Sequence, residues 1–299
     1  MMGRLFNRKS QKRFSSADFS AAQLPATRKE VFIDLFSNSG GKMFKLSGMC
    51  ALFALPVVIW LAYISDAIVA VAKSLDTLSA VERMAALNRG YALTNTKYIV
   101  LIPLLMLWGL GFAGVFRVLK KLVWGEGLLL SSDFFVGIKD NYKQFLIWFF
   151  IMGVSLFIMV FNYNYSQSNT AMGVLEKAGI AISIAQFILI CLLSMFYLPQ
   201  TVLYNLTFAA IFKNSVLFLI KTFPKSLLVF ALTAGIFAAP LLMPYNIARI
   251  LAAVVFLIIG AVYVAAVWTL YAHSVFDKYI NKQHHPEIYE KGLWKMDKQ

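Results

Sequence analysis

Apolar positions in this chain neither alternate nor recur at a surface-helix period; they run together. Six stretches are almost unbroken in Leu, Ile, Val, Phe and Ala, with polar residues collected between them: roughly Phe44–Ile64, Tyr98–Leu119, Phe145–Tyr163, Ile180–Tyr204, Leu227–Met243 and Ile250–Ala272. Most hold 19 or more residues. About 20 residues at ~1.5 Å rise match the ~30 Å hydrocarbon core of a bilayer. In that medium every backbone polar group needs an internal partner, so each run must be a helix or a barrel strand. Barrel strands are about 10 residues long and alternate, which these runs do not. The pattern predicts an all-α, polytopic transmembrane helical bundle of about six spans. Its parts are a basic N-terminal tail (1–43), a membrane domain (44–272) and a C-terminal tail (273–299).

Between the runs, shorter amphipathic stretches predict interfacial helices. Val31, Phe32, Leu35 and Phe36 have helical spacing and suit a helix lying flat on the inner leaflet. Leu75, Leu78, Val81, Ala85 and Leu87 recur near helical spacing in the longest loop, residues 65–97. An amphipathic anchor on the outer face is the simpler reading of that loop, and a ligand-receiving cap the sharper one. A third such helix is expected in the second loop, where Phe134, Phe135, Ile138 and Tyr142 form an apolar face. A fourth is expected in the fourth loop, before Pro224. Sliding the chain by 82 residues aligns Ile138-Lys139 with Ile220-Lys221. A parallel repeat would do this, and so would a shared need for Lys where a chain enters the membrane. Gly109 and Ala113, and Ala261 and Ala265, stand four apart, the spacing at which small residues let helices approach closely.

Composition agrees with the pattern: 60% of residues are hydrophobic and only 14% charged, against about 25% charged in soluble domains. The net charge of +14 raises nucleic acid as a partner, but its distribution excludes it. Counting cations at span ends with their loops, 22 of the 28 Lys and Arg fall on the side of the N-terminus and 6 on the other. Cations mark the cytoplasmic side, so both termini are expected inside, in a plasma membrane whose anionic inner leaflet is the partner of the basic surface. Cys50 and Cys191 both fall in spans, as small buried side chains rather than a disulfide.

Candidate chemistry is sparse. Lys45, Arg117, Arg249 and His273 lie near span ends, where long side chains reach water. Polar residues inside the spans include Ser155, Ser183, Gln186 and Ser194; Gln186 and Ser194 suit interhelical hydrogen bonds. Ser39-Gly40-Gly41-Lys42 lacks the spacing of a phosphate-binding loop. His284-His285 have no second ligand cluster in the sequence, and three histidines at one end of the chain offer no base to a nucleophile within the membrane. The expectation is a protein that is not an enzyme and holds no cofactor or metal. The fourth loop, with Phe208-Ala209-Ala210, Asn214 and Thr222-Phe223-Pro224, departs in residue type and spacing from the helix by which import permeases engage an ATPase.

One segment carries a resemblance. Arg117, Lys120-Lys121, Trp124, Gly125-Glu126, Asp133-Phe134-Phe135 and Lys139 through Asn141 to Phe145 are similar to the YesL-like family of bacterial integral membrane proteins, a domain of unknown function. Tyr197-Leu198-Pro199 and Phe223-Pro224-Lys225 add to the likeness, which covers about half the chain. The resemblance implies an accessory of carbohydrate uptake or of the cell envelope, whose partner is a sugar transporter or another membrane protein. It brings no catalytic residues. Physically, Arg117, Lys120, Lys121, Trp124, Glu126, Lys139, Lys221 and Lys225 form the candidate cytosolic contact surface, with cations at a helix C-terminus and an aromatic ring at interface depth. The alternative is a transporter or permease component carrying a small solute through a cavity between kinked helices, lined by Gln186, Ser194 and tyrosines.

Overall fold

The computed structural model describes residues 24–168, 173–242 and 246–294. Every regular element among them is helical. A short α1 (Arg28–Asn38) precedes four long helices: α2 (Gly40–Ser74), α3 (Ala80–Trp124), α4 (Leu130–Ser168) and α5 (Val174–Leu203). Next come α6 (Phe208–Phe230), α7 (Asn246–Val255) and α8 (Ala261–Phe276), with wide π turns at Ala231–Gly235, Phe256–Gly260 and Asp277–Asn281. Six helical stretches are long and apolar enough to cross a membrane. Spans 1–4 are α2–α5, span 5 is α6 with its continuation to Ala238, and span 6 is Ile247–His284.

The reversals are written in the local sequence. Gly125 takes the left-handed conformation (φ 68°) that ends α3, donating to Leu122 O while Glu126 N donates to Lys121 O, the Schellman pattern. Asp133 then reaches back to accept from Leu129 N at 2.9 Å and starts α4. At the other end Ser79 and Glu82 form a capping box that starts α3.

That capping box corrects one expectation. Residues 65–97 do not form a separate interfacial helix. They prolong α2 and α3 into a hairpin turned at Leu75–Thr77, with Trp60 Nε1 donating to Lys97 O and Lys97 Nζ to Ser65 Oγ across it. With 35 and 45 residues, α2 and α3 run roughly 50 and 70 Å, well beyond the ~30 Å hydrocarbon. The expected helix of the second loop is likewise the first turns of α4, continuous with span 3. The fourth loop does hold a separate element. Up to Thr222, where the backbone leaves the helical region (φ −125°) two residues before Pro224, α6 crosses the end of the bundle that carries the described termini. Phe208 packs on Tyr197 of span 4 and Phe212 on Trp148 of span 3, whereas Phe218 packs on Phe276 of span 6. Ile138-Lys139 thus lies inside a straight helix and Ile220-Lys221 just before a kink, so the 82-residue similarity has no matching local form.

Span 4 is the axis of that half of the bundle, with every residue from Leu192 to Val202 buried. Around it the tightest seam joins α3 to α4 through glycines. A Cβ on Gly114 would come within 2.5 Å of Phe134, and one on Gly109 within 2.7 Å of Phe149. Ala113, Ala261 and Ala265 are also buried, as their spacing predicted. Both cysteines are free. Gly137→Ala would set a Cβ 2.5 Å from Arg117 Cβ and 2.9 Å from Ala113 O, an overpacking that costs about 1–3 kcal/mol. The expected outcome is a lower thermal midpoint in detergent than wild type. Gly48→Ala, which meets nothing within 4 Å, is expected to leave the midpoint in place. Equal midpoints for both variants would contradict the seam.

Candidate functional site

An even number of spans returns the chain to its starting face. There α1, the α3–α4 turn, the crossing segment of α6, the end of span 6 and the C-terminal turns meet. The Trp294 amide donates to Pro25 O at 3.0 Å, closing the described N- and C-terminal ends on each other.

Helix α1 packs its apolar face on the ends of α3 and span 6. Val31 and Leu35 are buried with Val123 and Leu270, and Phe32 and Phe36 pack on Tyr263. Its contacts therefore step along span 6, because its apolar face finds protein rather than lipid. At its start Thr27 caps the helix and Glu30 accepts from Ala26 N. Those bonds to its ionised form hold the Glu30 carboxyl below its ordinary value.

The centre of this face is a buried polar network. Arg28 Nη2 donates to Asp277 Oδ2 at 2.8 Å, with both side chains about nine-tenths buried. Asp277 Oδ1 also accepts from Asn281 Nδ2 at 2.8 Å and from Glu290 N at 3.2 Å. Asn281 Oδ1 in turn accepts from Tyr204 OH at the end of span 4. The wide turn Asp277–Asn281 sets these two side chains together. Burial, and then the Asp277 charge, push the Tyr204 phenol above its ordinary value, so it stays the donor in this chain. A raised folded-state value contributes stability that is present below the ordinary phenol pKa of about 10 and is lost above it.

Beside the network Trp124 lies between two ammonium groups, Lys291 at 4.1 Å and Lys120 at 4.6 Å from its ring centre. Lys291 also pairs with Glu126 at 2.7 Å, and Lys120 donates to Val202 O at 3.3 Å. Gly292 (φ 83°) lets the last turn press on α3; a Cβ there would sit 2.1 Å from Val123 O. Lys121 pairs with Asp133 at 2.6 Å.

The eight candidate contact residues thus divide. Lys120, Lys121, Trp124 and Glu126 are half-buried and occupied within the molecule. Arg117 is half-buried, with an Nε that has no partner. Lys139, Lys221 and Lys225 stand exposed; Lys221 lies over Tyr279 and Lys225 over Tyr271. The residues that organise the face, Arg28, Asp277, Asn281, Tyr204 and Lys291, were not singled out from the sequence. A signal existed: Val275, Phe276 and Ile280 continue the last apolar run past Ala272, placing Asp277 inside it.

A cleft of about 670 Å³ opens between the start of α4 and the end of span 4, lined by Asp140, Asn141, Lys143, Gln144, Tyr204 and Asn205 among others. Gln144 donates to Leu206 O, while its Oε1 is buried without a partner. Neither amide atom of the fully buried Gln200 has a partner, nor does Tyr197 OH, whose ring stacks on Trp148 at 4.0 Å. Amide, carboxylate, ammonium and phenol groups together suit a small polar solute or a headgroup. Among the described residues no group of three His, Cys, Asp or Glu is placed to hold a metal ion. The two polar residues expected to share a cavity wall do not. Ser194 accepts from Trp148 Nε1 at 2.8 Å inside the bundle, whereas Gln186 is exposed on its outside.

Comparison of the chain with family models, curated proteins and solved structures finds no match.

Removing one partner of a buried ion pair costs about 3–5 kcal/mol, because the other charge is left uncompensated. Asp277→Ala is therefore expected to release α1 and the C-terminal turns, seen as faster tryptic cleavage at Arg28 and Lys29. Cleavage at the wild-type rate would show that the network does not hold the tails.

Proposed function

We propose that this is a non-enzymatic integral membrane protein whose work is done at its inner face, as a contact platform for anionic lipid and for a membrane partner. The observation that carries this reading is the joining of five separate chain segments into one rigid surface. Ion pairs and stacked lysines secure its interior, and Lys139, Lys221 and Lys225 stand exposed on it, the last two over the Tyr279 and Tyr271 rings. Cations of that kind complement a negative leaflet, each worth ~1 kcal/mol near the surface. A surface built by cross-linking both tails into the ends of spans costs conformational entropy that a mere anchor does not need. The excess of Lys and Arg on this face supports placing it on the cytoplasmic side. The tie to carbohydrate uptake or the cell envelope rests on the resemblance of Phe112–Phe145 to YesL-like proteins.

Solute transport is the second reading, and the polar-lined cleft favours it. Proteoliposomes containing the pure protein that take up a sugar faster than empty liposomes would establish it in place of the accessory role.

The platform reading predicts that replacing Lys139, Lys221 and Lys225 together by Glu lowers recovery of a transporter or envelope protein after mild detergent extraction, with the thermal midpoint unchanged. Wild-type protein that repeatedly brings down neither kind of partner would contradict it.

A further inference from the structure

Gln186 is the polar residue that the fold leaves unexplained. It lies on span 4, six residues past Ile180 where the apolar run begins, so it sits roughly 9 Å inside the hydrocarbon. Here span 4 has left the centre of the bundle. In its outer half Ser183 is buried and Phe187 half-buried, while Ile182, Ile184, Ile188 and Leu189 are exposed. Gln186 is exposed with them and has no hydrogen-bond partner among the described residues. Lipid tails supply neither donor nor acceptor, so a primary amide held there forfeits the bonds it makes in water. Nothing in the six-span core requires it.

The surface beside this amide is unusually low. Ala178, Ala181 and Ala185 are all exposed and share one face of the helix with Ile182 and Leu189, Gln186 flanking them. A Cβ on Gly179 would meet nothing within 4 Å. Ala181 and Ala185 stand four apart, the spacing that lets a second helix backbone come close.

We infer that the outer half of span 4 is a contact between two copies of this chain, with the two Gln186 side chains hydrogen-bonded across it. The argument for a second copy is geometric. All copies enter the membrane in one orientation, so two apposed spans 4 run parallel and carry Gln186 at the same depth. An amide has both donors and an acceptor, so it complements its own image across a two-fold axis along the membrane normal. The charged, tied-together inner face plays no part in this contact, which therefore stands apart from the proposed platform function.

The test uses full-length protein, purified and reconstituted in phosphatidylcholine–phosphatidylglycerol vesicles, with copies carrying donor and acceptor dyes. Energy transfer that rises with the protein-to-lipid ratio reports association. Wild type is expected to dimerise. Gln186→Leu is expected to weaken association roughly three- to twentyfold, the range that hydrogen bonds between membrane helices span. Ala185→Ile, which fills the seam, is expected to weaken it further. Ile236→Ala, on exposed surface of span 5, is expected to change nothing. Because Gln186 touches no described partner, its variant should keep the wild-type thermal midpoint, which separates lost association from lost fold. As a second readout, Ala185→Cys in a chain with Cys50 and Cys191 replaced by Ser is expected to form a disulfide between copies. A monomer at every ratio would overturn the inference. So would association insensitive to both seam substitutions, or a cysteine at 185 that stays unpaired.

Discussion

Hydrocarbon cannot hydrogen-bond, and this constraint shapes the rest of the molecule. Each backbone amide within the membrane has to be satisfied in its own segment, which makes the spans helical before any side chain is considered. It also removes most of the force that packs soluble helices, because lipid tails are as apolar as Leu. What remains is close contact and polar glue. The spans accordingly meet where glycine admits a ring, at Gly109 with Phe149 and Gly114 with Phe134. Buried polar groups are spent between helices, as in Trp148–Ser194 and Trp268–Thr233.

The same constraint pushes charge to the ends, and there the two ends differ. At the end away from the described termini α2 and α3 prolong as a hairpin, and span 4 leaves Gln186 exposed. At the inner end span 4 is enclosed and charges are paired in contacts that water only partly reaches. Arg28 and Asp277 join the start of the chain to its last span, and Lys291, Trp124 and Lys120 stack the C-terminal turns on α3. One half leaves span 4 exposed, and the other is tied together by ion pairs and stacked rings. A contact platform needs its surface fixed, and the fastened half is where the cations are dense.

Much of this was legible from the sequence, for physical reasons. The six spans follow from run length, and the crossing segment of α6 from an amphipathic stretch ending at Pro224. The small-residue seams follow from spacing alone. The hairpin at residues 65–97 was misread because an amphipathic pattern looks the same beside lipid as beside a partner helix. What separates the two is the Ser79–Glu82 capping box, which permits a single tight break. Of the polar network, only the placement of Asp277 inside the last apolar run was legible; its partners were not. Arg28 and Asp277 are 249 residues apart, and only the return of an even number of spans brings them together. Sequence did mark Lys120, Lys121, Trp124 and Glu126 as a unit, but not that Lys291 and Asp133 would occupy them.

The central claim is that both tails, the α3–α4 turn and the crossing segment share one face, and that this face looks into the cytosol. Its most direct test is a single cysteine at Gly127, in the exposed α3–α4 turn, in a chain whose two native cysteines are replaced. A membrane-impermeant maleimide should leave it unmodified in intact cells and modify it fully once the membrane is opened. Modification from outside intact cells would reverse the orientation and remove the inner platform with it.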